Sequence, residues 1–391
     1  MRILHLNDTV NPQGGVEQYL LSVCDLLAAA GHENVVAACA DGRESAAAPW
    51  PTYATPTPDA ARRLADRLRP DVAYVHHVRD GDVIAAVAER MPALGYIHGF
   101  APVCAGLGKY FRRTETICTR PFGWACAPLQ YTHRCSTARH PLTVRRLMQE
   151  TARRRWAFAR LDHLLVASGY MRDLLRQNRF DPRRITILPP HFLAAPPPPW
   201  QPPADPSLLV YAGRLEVEKG VSHLLQALRL LPAPAHLVVA GDGTQRAQYE
   251  RMAAEMGLAA RVRFVGWLAA DALTALYRRC ALVLIPSHYA EPFGKVGIEA
   301  LAQGRAVVAY ATGGIPEWLQ DGRNGRLVPP GNVPAFAQAI DDLLTQPVVL
   351  REMGRAGQRQ AWARYGADAH AQTLLALMGQ MMRGWAGKMP A

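Results

Sequence analysis

In the first half of the chain, short apolar runs alternate with longer amphipathic stretches. The runs at 2–6, 34–40, 72–76 and 93–98 predict buried strands, and the stretches between them carry the apolar spacing of helices. Strands that alternate with helices in this way are typical of a parallel α/β sheet. We therefore predict that the first half of the chain forms one α/β domain.

The same alternation returns in the second half. Strands are predicted at further apolar runs: 208–215, 237–240, 262–265, 281–286 and 307–310. The segment from 335 to the end is predicted to be helical. A second α/β domain is therefore predicted to follow the first, and the chain is predicted to end in helix.

A proline-rich segment separates the two patterns. Half of the residues in 189–206 are proline, which removes backbone donors and stiffens the chain, so this segment is predicted to be an interdomain linker. The predicted domains are then 1–188 and 207–365, followed by a last helix at 366–391. A chain of 391 residues is long enough for each domain to bury its own core.

One long helix rich in arginine is predicted at 141–160. Leu147, Ala152, Trp156 and Ala159 fall on one stripe of this helix. Because an apolar stripe normally faces the core, we expect these side chains to be buried.

The chain has no sequence signal for a membrane span or for secretion. No apolar run reaches the roughly 18–20 residues that a membrane span needs. The first residues, MRILHLND, lead directly into a strand and lack the apolar core of a signal peptide. These features predict a cytoplasmic protein.

The net charge of +12 is unevenly spread. The window 105–200 contains 17 basic and 5 acidic residues. A solvated surface rich in arginine would explain this excess. So would a basic face that approaches an anionic membrane, on its inner side, or an anionic lipid-linked acceptor. Nucleic acid is not a favoured partner, because no recognised binding motif accompanies the charge.

Two acids flank a predicted strand-to-helix junction in the second domain. Glu291 lies in the loop after the strand at 281–286, the helix is predicted to start near Phe293 and Gly294, and Glu299 lies about two turns into it. A helix start offers unpaired N–H groups and a positive dipole end to an anion. The acids can therefore bind hydroxyl groups on either side of a phosphate. Two solvated helix acids would give the same spacing.

Two cations are predicted at a neighbouring strand end. Gly213 and Arg214 end the strand at 208–215, and Lys219 lies at the next helix start. Arginine can bind two oxygens of a diphosphate, and lysine adds a point charge. This pattern favours a diphosphate site, although two surface charges would look alike.

The stretches EPFGKVGIEA and GGIPEWLQDGRNGRLVPPG resemble the E-x7-E motif, and the segment after it, of the retaining glycosyltransferases of family 4. Arg214 and Lys219 match the phosphate-binding pair of that family. The resemblance covers nearly the whole chain and is strongest over 208–331. It implies the GT-B fold, in which two Rossmann-like domains with parallel sheets face each other across a cleft and the last helix crosses back to the first domain. Lys295 departs from the family, which more often has an apolar residue there.

The resemblance also implies roles for individual residues. Gly14 and Gly15 match a GGVE segment at which the backbone can approach the donor diphosphate. His98, at the end of the strand at 93–98, matches a histidine that lies against the donor sugar. Glu291 would hold the same sugar and Glu299 would bind the ribose hydroxyls.

The implied catalysis uses charge from the chain. Arg214, Lys219 and the helix start at Phe293 and Gly294 would stabilise the leaving diphosphate without a metal. No Asp-x-Asp metal motif follows a predicted strand. We therefore expect no catalytic cofactor, and the resemblance implies retention of the anomeric configuration.

A cysteine-rich insertion at 100–140 interrupts the first domain. Its segment is rich in arginine and glycine and has little periodicity, and it contains Cys104, Cys118, Cys126 and Cys135. Four thiols in such a loop predict a structural zinc site or two disulfides, and four unpaired cysteines are a third interpretation. The spacing lacks a C-x2-C pair. A reducing compartment favours zinc over disulfides.

The predicted function is the transfer of a sugar from a UDP- or GDP-linked donor to a glycan, a lipid-linked acceptor or a small molecule. Two alternatives stay open. One is a nucleotide-sugar-binding protein without transferase activity, and the other is an epimerase or phosphorylase with the same fold. The sequence does not distinguish among donor sugars, acceptors, linkages or oligomeric states.

Overall fold

The computed structural model describes five segments of the chain: 1–10, 14–40, 50–192, 199–232 and 234–386. Contacts divide the chain into two compact units. The first comprises Met1–Thr114 and Cys118–Pro190 together with the C-terminal helix, and the second comprises Glu115–Ile117 and His191–Gly366. Within the predicted linker, residues 193–198 lie outside the described residues.

The first unit is built on a sheet of seven parallel strands. The strands of this part of the chain are β1 (Arg2–Asn7), β2 (Glu33–Ala38), β3 (Thr52–Ala54), β4 (Val72–Val75), β5 (Ala93–Ile97), β6 (Tyr110–Phe111), β7 (Thr116–Ile117), β8 (His163–Val166) and β9 (Ile185–Ile187). The sheet order is β3-β2-β1-β4-β5-β8-β9, while β6 and β7 form a separate two-stranded sheet. The strand order therefore reverses between β1 and β4. In an open α/β sheet, such a reversal leaves a crevice at the carboxyl ends of the two strands.

Helices connect the strands of this sheet. They are α1 (Gly15–Ala29), α2 (Pro58–Leu68), α3 (Gly81–Ala88), α4 (Cys126–Thr132), α5 (Pro141–Arg160) and α6 (Gly169–Gln177). Thr57, Asp80 and Ser168 cap the starts of α2, α3 and α6, since each side chain accepts a hydrogen bond from a backbone N–H of the first turn. Local sequence thus sets where these helices begin.

Helix α5 packs with a different face from the one predicted. Its buried residues are Val144, Thr151, Arg154, Ala157 and Phe158. Leu147 is half-buried, but Trp156 is 51% exposed and Ala152 and Ala159 are also exposed, so the predicted stripe was wrong for three of its four residues. Arg154 can be buried because its Nη2 donates to the carbonyl of Arg79 at 2.8 Å. Backbone acceptors thus satisfy an arginine that the apolar pattern assigns to solvent.

The second unit is built on a six-stranded parallel sheet. Its strands are β10 (Leu208–Ala212), β11 (His236–Ala240), β12 (Val262–Gly266), β13 (Leu282–Ile285), β14 (Ala306–Tyr310) and β15 (Gly325–Val328). Its helices are α7 (Val221–Leu230), α8 (Arg246–Glu255), α9 (Ala270–Arg279), α10 (Lys295–Ala302), α11 (Val333–Leu344) and α12 (Pro347–Tyr365). Strand β15 is an element that the sequence analysis did not predict.

The strand order of the second sheet is β12-β11-β10-β13-β14-β15, so it reverses between β10 and β13. The loops after these two strands are therefore neighbours at the sheet edge where ligands bind in α/β folds. Gly220, after the short 3₁₀ turn Val217–Lys219, has φ of +73°. A Cβ there would collide with the carbonyl of Pro286 at the end of β13. Only glycine therefore lets the two loops approach this closely.

The C-terminal helix α13 (Ala367–Ala386) packs on the first unit, in contact with α1. His370 Nδ1 lies 3.0 Å from the carbonyl of Pro189, which can only accept, so His370 Nε2 accepts from Tyr19 OH at 2.9 Å. Tyr19 in turn bonds to Tyr74 OH on β4 at 2.9 Å. The prediction of two parallel α/β domains with a returning last helix is confirmed.

Among the described residues, no helix combines the length and apolar content that a membrane span requires.

Candidate active site

An ion pair joins the two loops at the reversal point of the second sheet. Lys219 Nζ lies 2.8 Å from Glu291 Oε1, and the two side chains are 16% and 8% exposed. Lys219 follows β10, and Glu291 follows β13. The structure therefore brings together two candidate residues that are 72 positions apart in the sequence.

Two further side chains hold the same carboxylate. Ser287 Oγ donates to Glu291 Oε1 at 2.6 Å, and Tyr289 OH donates to Glu291 Oε2 at 2.9 Å. A carboxylate has about four lone-pair sites, so roughly one remains on Oε2 for a ligand hydroxyl. Lys219 Nζ also donates to Tyr289 OH at 3.1 Å, which leaves one of its three N–H groups for a ligand.

The charges in this cluster stabilise each other. Burial opposes ionisation of Glu291, but the Lys219 charge and the hydrogen bonds from Lys219, Ser287 and Tyr289 hold its pKa below the ordinary value. Burial also opposes the charge on Lys219, yet the Glu291 carboxylate raises the pKa of Lys219. Burial and the same carboxylate raise the pKa of Tyr289 to about 12. Lys219 and Glu291 are therefore both charged, and Tyr289 is neutral, at physiological pH.

Arg214 lies in the loop after β10, and its side chain is exposed. Within the described part of the chain its guanidinium makes no ion pair, although its carbonyl accepts from Tyr211 OH at 2.8 Å. The loop begins at Gly213, whose N–H donates to the carbonyl of Ala240 at 3.0 Å. Arg214 thus keeps its fork of donors available for an anion.

The start of α10 supplies backbone donors. The N-cap, Gly294, has φ of +89°, and no side chain caps this helix. Phe293 is 4% exposed, and its carbonyl accepts from Trp318 Nε1 at 2.6 Å. Its aromatic side chain is therefore a core residue, and it is the backbone around Gly294 that can bind an anion.

Glu299 lies one turn into α10, because this helix begins at Lys295 rather than near residue 293. The carboxylate is 25% exposed and pairs with Lys295 Nζ at 3.3 Å. Lys295 thus has a partner on its own helix face. The pair is partly solvated, so the Glu299 oxygens keep room for hydroxyl donors.

Two histidines near Lys219 were not predicted from the sequence. His223 lies in the first turn of α7, and His288 follows Ser287. Their ring centroids are 4.3 Å apart, and His288 Nε2 lies 2.9 Å from the carbonyl of Val217. The only available signal was a histidine at each of two helix or strand ends, which is too common to be informative.

In the first unit, His98 follows β5, one strand away from the reversal point. Its Nε2 lies 3.4 Å from His76 Nδ1, and its ring stacks on Tyr96 with centroids 4.4 Å apart. Burial, and then the charge of His77, lower the pKa of His98 to about 3. His98 is therefore a neutral hydrogen-bonding group at the carboxyl end of the sheet.

Gly14 and Gly15 form the start of α1. Gly14 is the N-cap in extended backbone, with no side-chain hydrogen bond to cap the helix, and Gly15 is exposed. A Cβ on Gly15 would meet nothing within 4 Å. The chain itself therefore does not require glycine at 15, whereas a ligand that approaches the backbone would.

The four cysteines of the insertion are unpaired thiols: Cys104, Cys118, Cys126 and Cys135. Burial, together with charge on the other three, raises the pKa of Cys135 to about 12. Among the residues that the structure describes, no three of these sulfurs lie within 4.8 Å of one another. A tetrahedral zinc site with Zn–S bonds of about 2.3 Å needs sulfurs about 3.8 Å apart. The thiols thus fit a preformed zinc site poorly, and zinc stays a prediction that metal analysis of purified protein tests.

Buried histidines predict a loss of stability in acid. Burial lowers the pKa of His5 and of His370 to about 4, whereas an unfolded chain titrates near 6.5. Between these values the unfolded state binds protons that the folded state does not, so the free energy of unfolding falls as pH falls. We expect constant stability above pH ~7 and a loss of about 1.4 kcal/mol per pH unit for each such histidine below ~6.

Urea unfolding at several pH values measures this dependence. His370→Gln should reduce the slope below pH ~6 by about one proton. Equal slopes in the variant and the parent would contradict the assignment.

Comparison with known proteins matches both units to one class of enzyme. The family model "Glycosyltransferase Family 4" matches residues 13–191, and the model "Glycosyl transferases group 1" matches residues 197–360. Glycogen synthase of Mycobacterium tuberculosis is 28% identical over 401 aligned residues, which cover 96% of this chain and 95% of that protein. The chain is a glycosyltransferase with the GT-B fold.

Other relatives of the glycosyltransferase match locally, and solved structures match throughout. The D-inositol 3-phosphate glycosyltransferase of Mycolicibacterium smegmatis is 34% identical over 194 residues, or 48% of this chain and 43% of that protein. HepE of Anabaena in complex with UDP has a TM-score of 0.70 at 20% identity and covers 97% of the glycosyltransferase and 100% of that chain. Sucrose-phosphate synthase of Thermosynechococcus elongatus has a TM-score of 0.72 at 20% identity, with 98% and 99% covered. These comparisons confirm the predicted fold and the predicted transferase activity.

Proposed function

We propose that the glycosyltransferase takes its sugar from a nucleoside diphosphate sugar and binds the diphosphate on its second unit. One observation carries this proposal. The Lys219–Glu291 contact of 2.8 Å joins the loops after β10 and β13, where the strand order reverses. Exposed Arg214 lies in the same loop as Lys219. This edge of the sheet therefore has cations for a diphosphate and a carboxylate for a hydroxyl.

We propose UDP sugars as the first donors to test. HepE, a solved neighbour with the same fold, is described in complex with UDP and with UDP-glucose. GDP sugars are the second class, since no contact among the described residues of the second unit identifies the base. In this proposal Glu299 binds the ribose hydroxyls, and Glu291 and His98 bind the sugar.

Departure of the diphosphate is the step at which charge develops. Arg214, the third N–H of Lys219 and the uncapped N-terminus of α10 would stabilise this charge, since they are positioned before the reaction begins. Glu291 would accept a hydrogen bond from a sugar hydroxyl at its remaining lone pair on Oε2. We propose retention of the anomeric configuration and a reaction in which these groups, not a metal, carry the stabilising charge.

A product assay tests this function. The protein is incubated with radiolabelled UDP-glucose, or with other UDP and GDP sugars, in the presence and absence of oligosaccharide acceptors and of EDTA. We expect nucleoside diphosphate release that depends on acceptor and persists in EDTA, with a product whose anomeric configuration by NMR matches the donor. Turnover without acceptor would indicate an epimerase or a hydrolase. Binding of every donor without turnover would indicate a catalytically silent protein.

We propose that the acceptor is a glycan or a lipid-linked saccharide presented at an anionic membrane. Five large apolar side chains of the insertion and α5, all within the basic window 105–200, are exposed: Leu107, Trp124, Tyr131, Leu142 and Trp156. Trp124 is 87% exposed and Leu142 is 66% exposed. Apolar side chains among arginines favour the interface of an anionic bilayer.

Vesicle sedimentation tests the membrane contact. We expect the protein to sediment with phosphatidylglycerol vesicles more than with phosphatidylcholine vesicles, and less at high salt. Replacing both Trp124 and Leu142 with alanine should weaken binding by about tenfold, from the apolar burial that is lost. Trp267→Ala, at an exposed site of the second unit, is the control. Equal binding by both variants, or none by the parent, would contradict the proposal.

A further inference from the structure

Three histidines of the first unit form a hydrogen-bonded row that ends at His98. His5 Nδ1 lies 3.2 Å from His76 Nε2, and His76 Nδ1 lies 3.4 Å from His98 Nε2. At the other end, His5 Nε2 lies 2.9 Å from Asn34 Oδ1. His5, His76 and Asn34 are 0%, 2% and 3% exposed, so bulk water does not compete for these bonds.

The amide of Asn34 determines the direction of every bond in this row. Its Nδ2 donates to the carbonyl of Cys24 at 3.0 Å, and a carbonyl can only accept. Asn34 Oδ1 therefore faces His5, and His5 Nε2 carries the proton. A neutral imidazole has one N–H, so His5 Nδ1 accepts from His76 Nε2 and His76 Nδ1 accepts from His98 Nε2.

The surroundings keep all three rings neutral. Burial lowers the pKa of His5 to about 4 and that of His98 to about 3, and it lowers the pKa of His76 well below the ordinary value. The rings are also nearly parallel, at 12° between His5 and His76 and 28° between His76 and His98. Such an arrangement suits in-plane N–H···N bonds.

We propose that Asn34, His5 and His76 are positioning residues that hold His98 as the Nε2–H tautomer and leave its Nδ1 as a hydrogen-bond acceptor for substrate. Within the described segments, only Nε2 of His98 has a hydrogen-bond partner. Nδ1 is thus available to a ligand, and it can accept a hydrogen bond but cannot donate one.

This inference rests on the proposed function for the identity of its ligand, which is a hydroxyl of the transferred sugar. A hydroxyl or an amide N–H can donate to Nδ1. A carboxylate at the same position has only acceptors and would be repelled by the nitrogen lone pair. We therefore infer a preference for neutral sugars over sugars that place a carboxylate against His98.

The tautomers are measured directly by ¹⁵N–¹H correlation NMR of protein labelled with ¹⁵N-histidine. The resonances of the row are assigned with His98→Gln and His76→Gln variants. At pH 7 and at pH 5.5 we expect a protonated Nε2 and an unprotonated Nδ1 on His98. A protonated Nδ1, or an imidazolium, would overturn the proposal. The measurement needs no substrate, so its outcome is separate from that of the proposed function.

A pair of matched variants tests the control by Asn34. In Asn34→Leu the buried Nε2–H of His5 loses its acceptor, which disfavours this tautomer and lets the row reverse. We expect a protonated Nδ1 on His98 and a fall in kcat/KM of about tenfold, as for one lost hydrogen bond of about 1.4 kcal/mol. A neutral donor sugar should show this loss mainly in KM, since the ground state also makes the bond.

Asn178→Leu is the control, because Asn178 is 2% exposed and, among the described residues, its amide bonds only to backbone, at 2.8 Å from Leu174 O and 2.8 Å from Phe122 N. We expect this variant to lose stability and to keep the His98 tautomer and kcat/KM of the parent. The same tautomer change in both variants, or none in Asn34→Leu, would overturn the role of Asn34. A changed tautomer with unchanged donor kinetics would overturn the role of His98 Nδ1 and leave glycosyl transfer intact. If Asn34→Leu does not fold, the tautomers of the parent decide the question.

Discussion

Replacing Arg214 with alanine should lower kcat/KM for sugar transfer by about 10²- to 10³-fold, which is typical of losing a preorganised group that stabilises developing charge. The free energy of unfolding should stay within about 0.5 kcal/mol of the parent. Arg214 is exposed and has no ion-pair partner among the described residues, so its removal leaves no buried charge behind. Initial rates with a nucleotide sugar and urea unfolding measure the two effects.

Two comparisons sharpen this prediction. Arg214→Lys keeps a charge but loses the bidentate fork, so its rate should fall between those of the parent and the alanine variant. Arg251→Ala removes another exposed arginine, from α8, and should retain full activity. Full activity in Arg214→Ala would show that the diphosphate binds elsewhere.

Replacing Lys219 with methionine should damage both activity and stability. The Glu291 carboxylate is 8% exposed and would keep only Ser287 and Tyr289 as donors. Breaking a buried ion pair from one side costs about 3–5 kcal/mol, and we expect a loss in the lower part of this range because Lys219 is 16% exposed. The transfer rate should fall by at least about 10²-fold, since the N–H directed at the diphosphate is lost as well.

A double variant separates these two effects. Adding Glu291→Gln to Lys219→Met removes the unpaired charge, so part of the stability should return, and the transfer rate should not. Unfolding free energies of the two single variants and the double variant then give the coupling between the residues, which we expect to be about 2 kcal/mol. Transfer activity that returned with stability would show that Lys219 acts only as a structural partner of Glu291.

The two α/β units could be predicted from the sequence because most of their strands are buried and appear as continuous apolar runs. Strand β15 (Gly325–Val328) contains an arginine and two half-buried positions, so no such run marks it. Helix α5 was predicted with the wrong face. Apolar spacing assigns arginine to solvent, and only the fold provides the Arg79 carbonyl that lets Arg154 be buried.

Individual residues of the candidate site were proposed from the sequence, but the contacts among them were not. Glu291 and Lys219 each stood out as part of a motif, whereas the bond between them depends on how β10 and β13 pair. Ser287 and Tyr289 are ordinary loop residues whose role as donors to Glu291 follows from loop geometry. The row from Asn34 to His98 was also missed, since its members lie on or just after four different strands and no local pattern links them.

The dependence of the first unit on α13 has a consequence for protein synthesis. All strands of its sheet have been translated at residue 187, but the hydrogen bond from Tyr19 to His370 can form only after residue 370 has been translated. At about 5–20 residues per second, the ribosome needs roughly 10–40 s to add the intervening segment. During that interval the nascent first unit exposes the surface that α13 later covers, which makes it a natural client for chaperones. The last residue of the second unit, Gly366, directly precedes α13, so the first unit acquires its last helix only after the whole second unit has been translated.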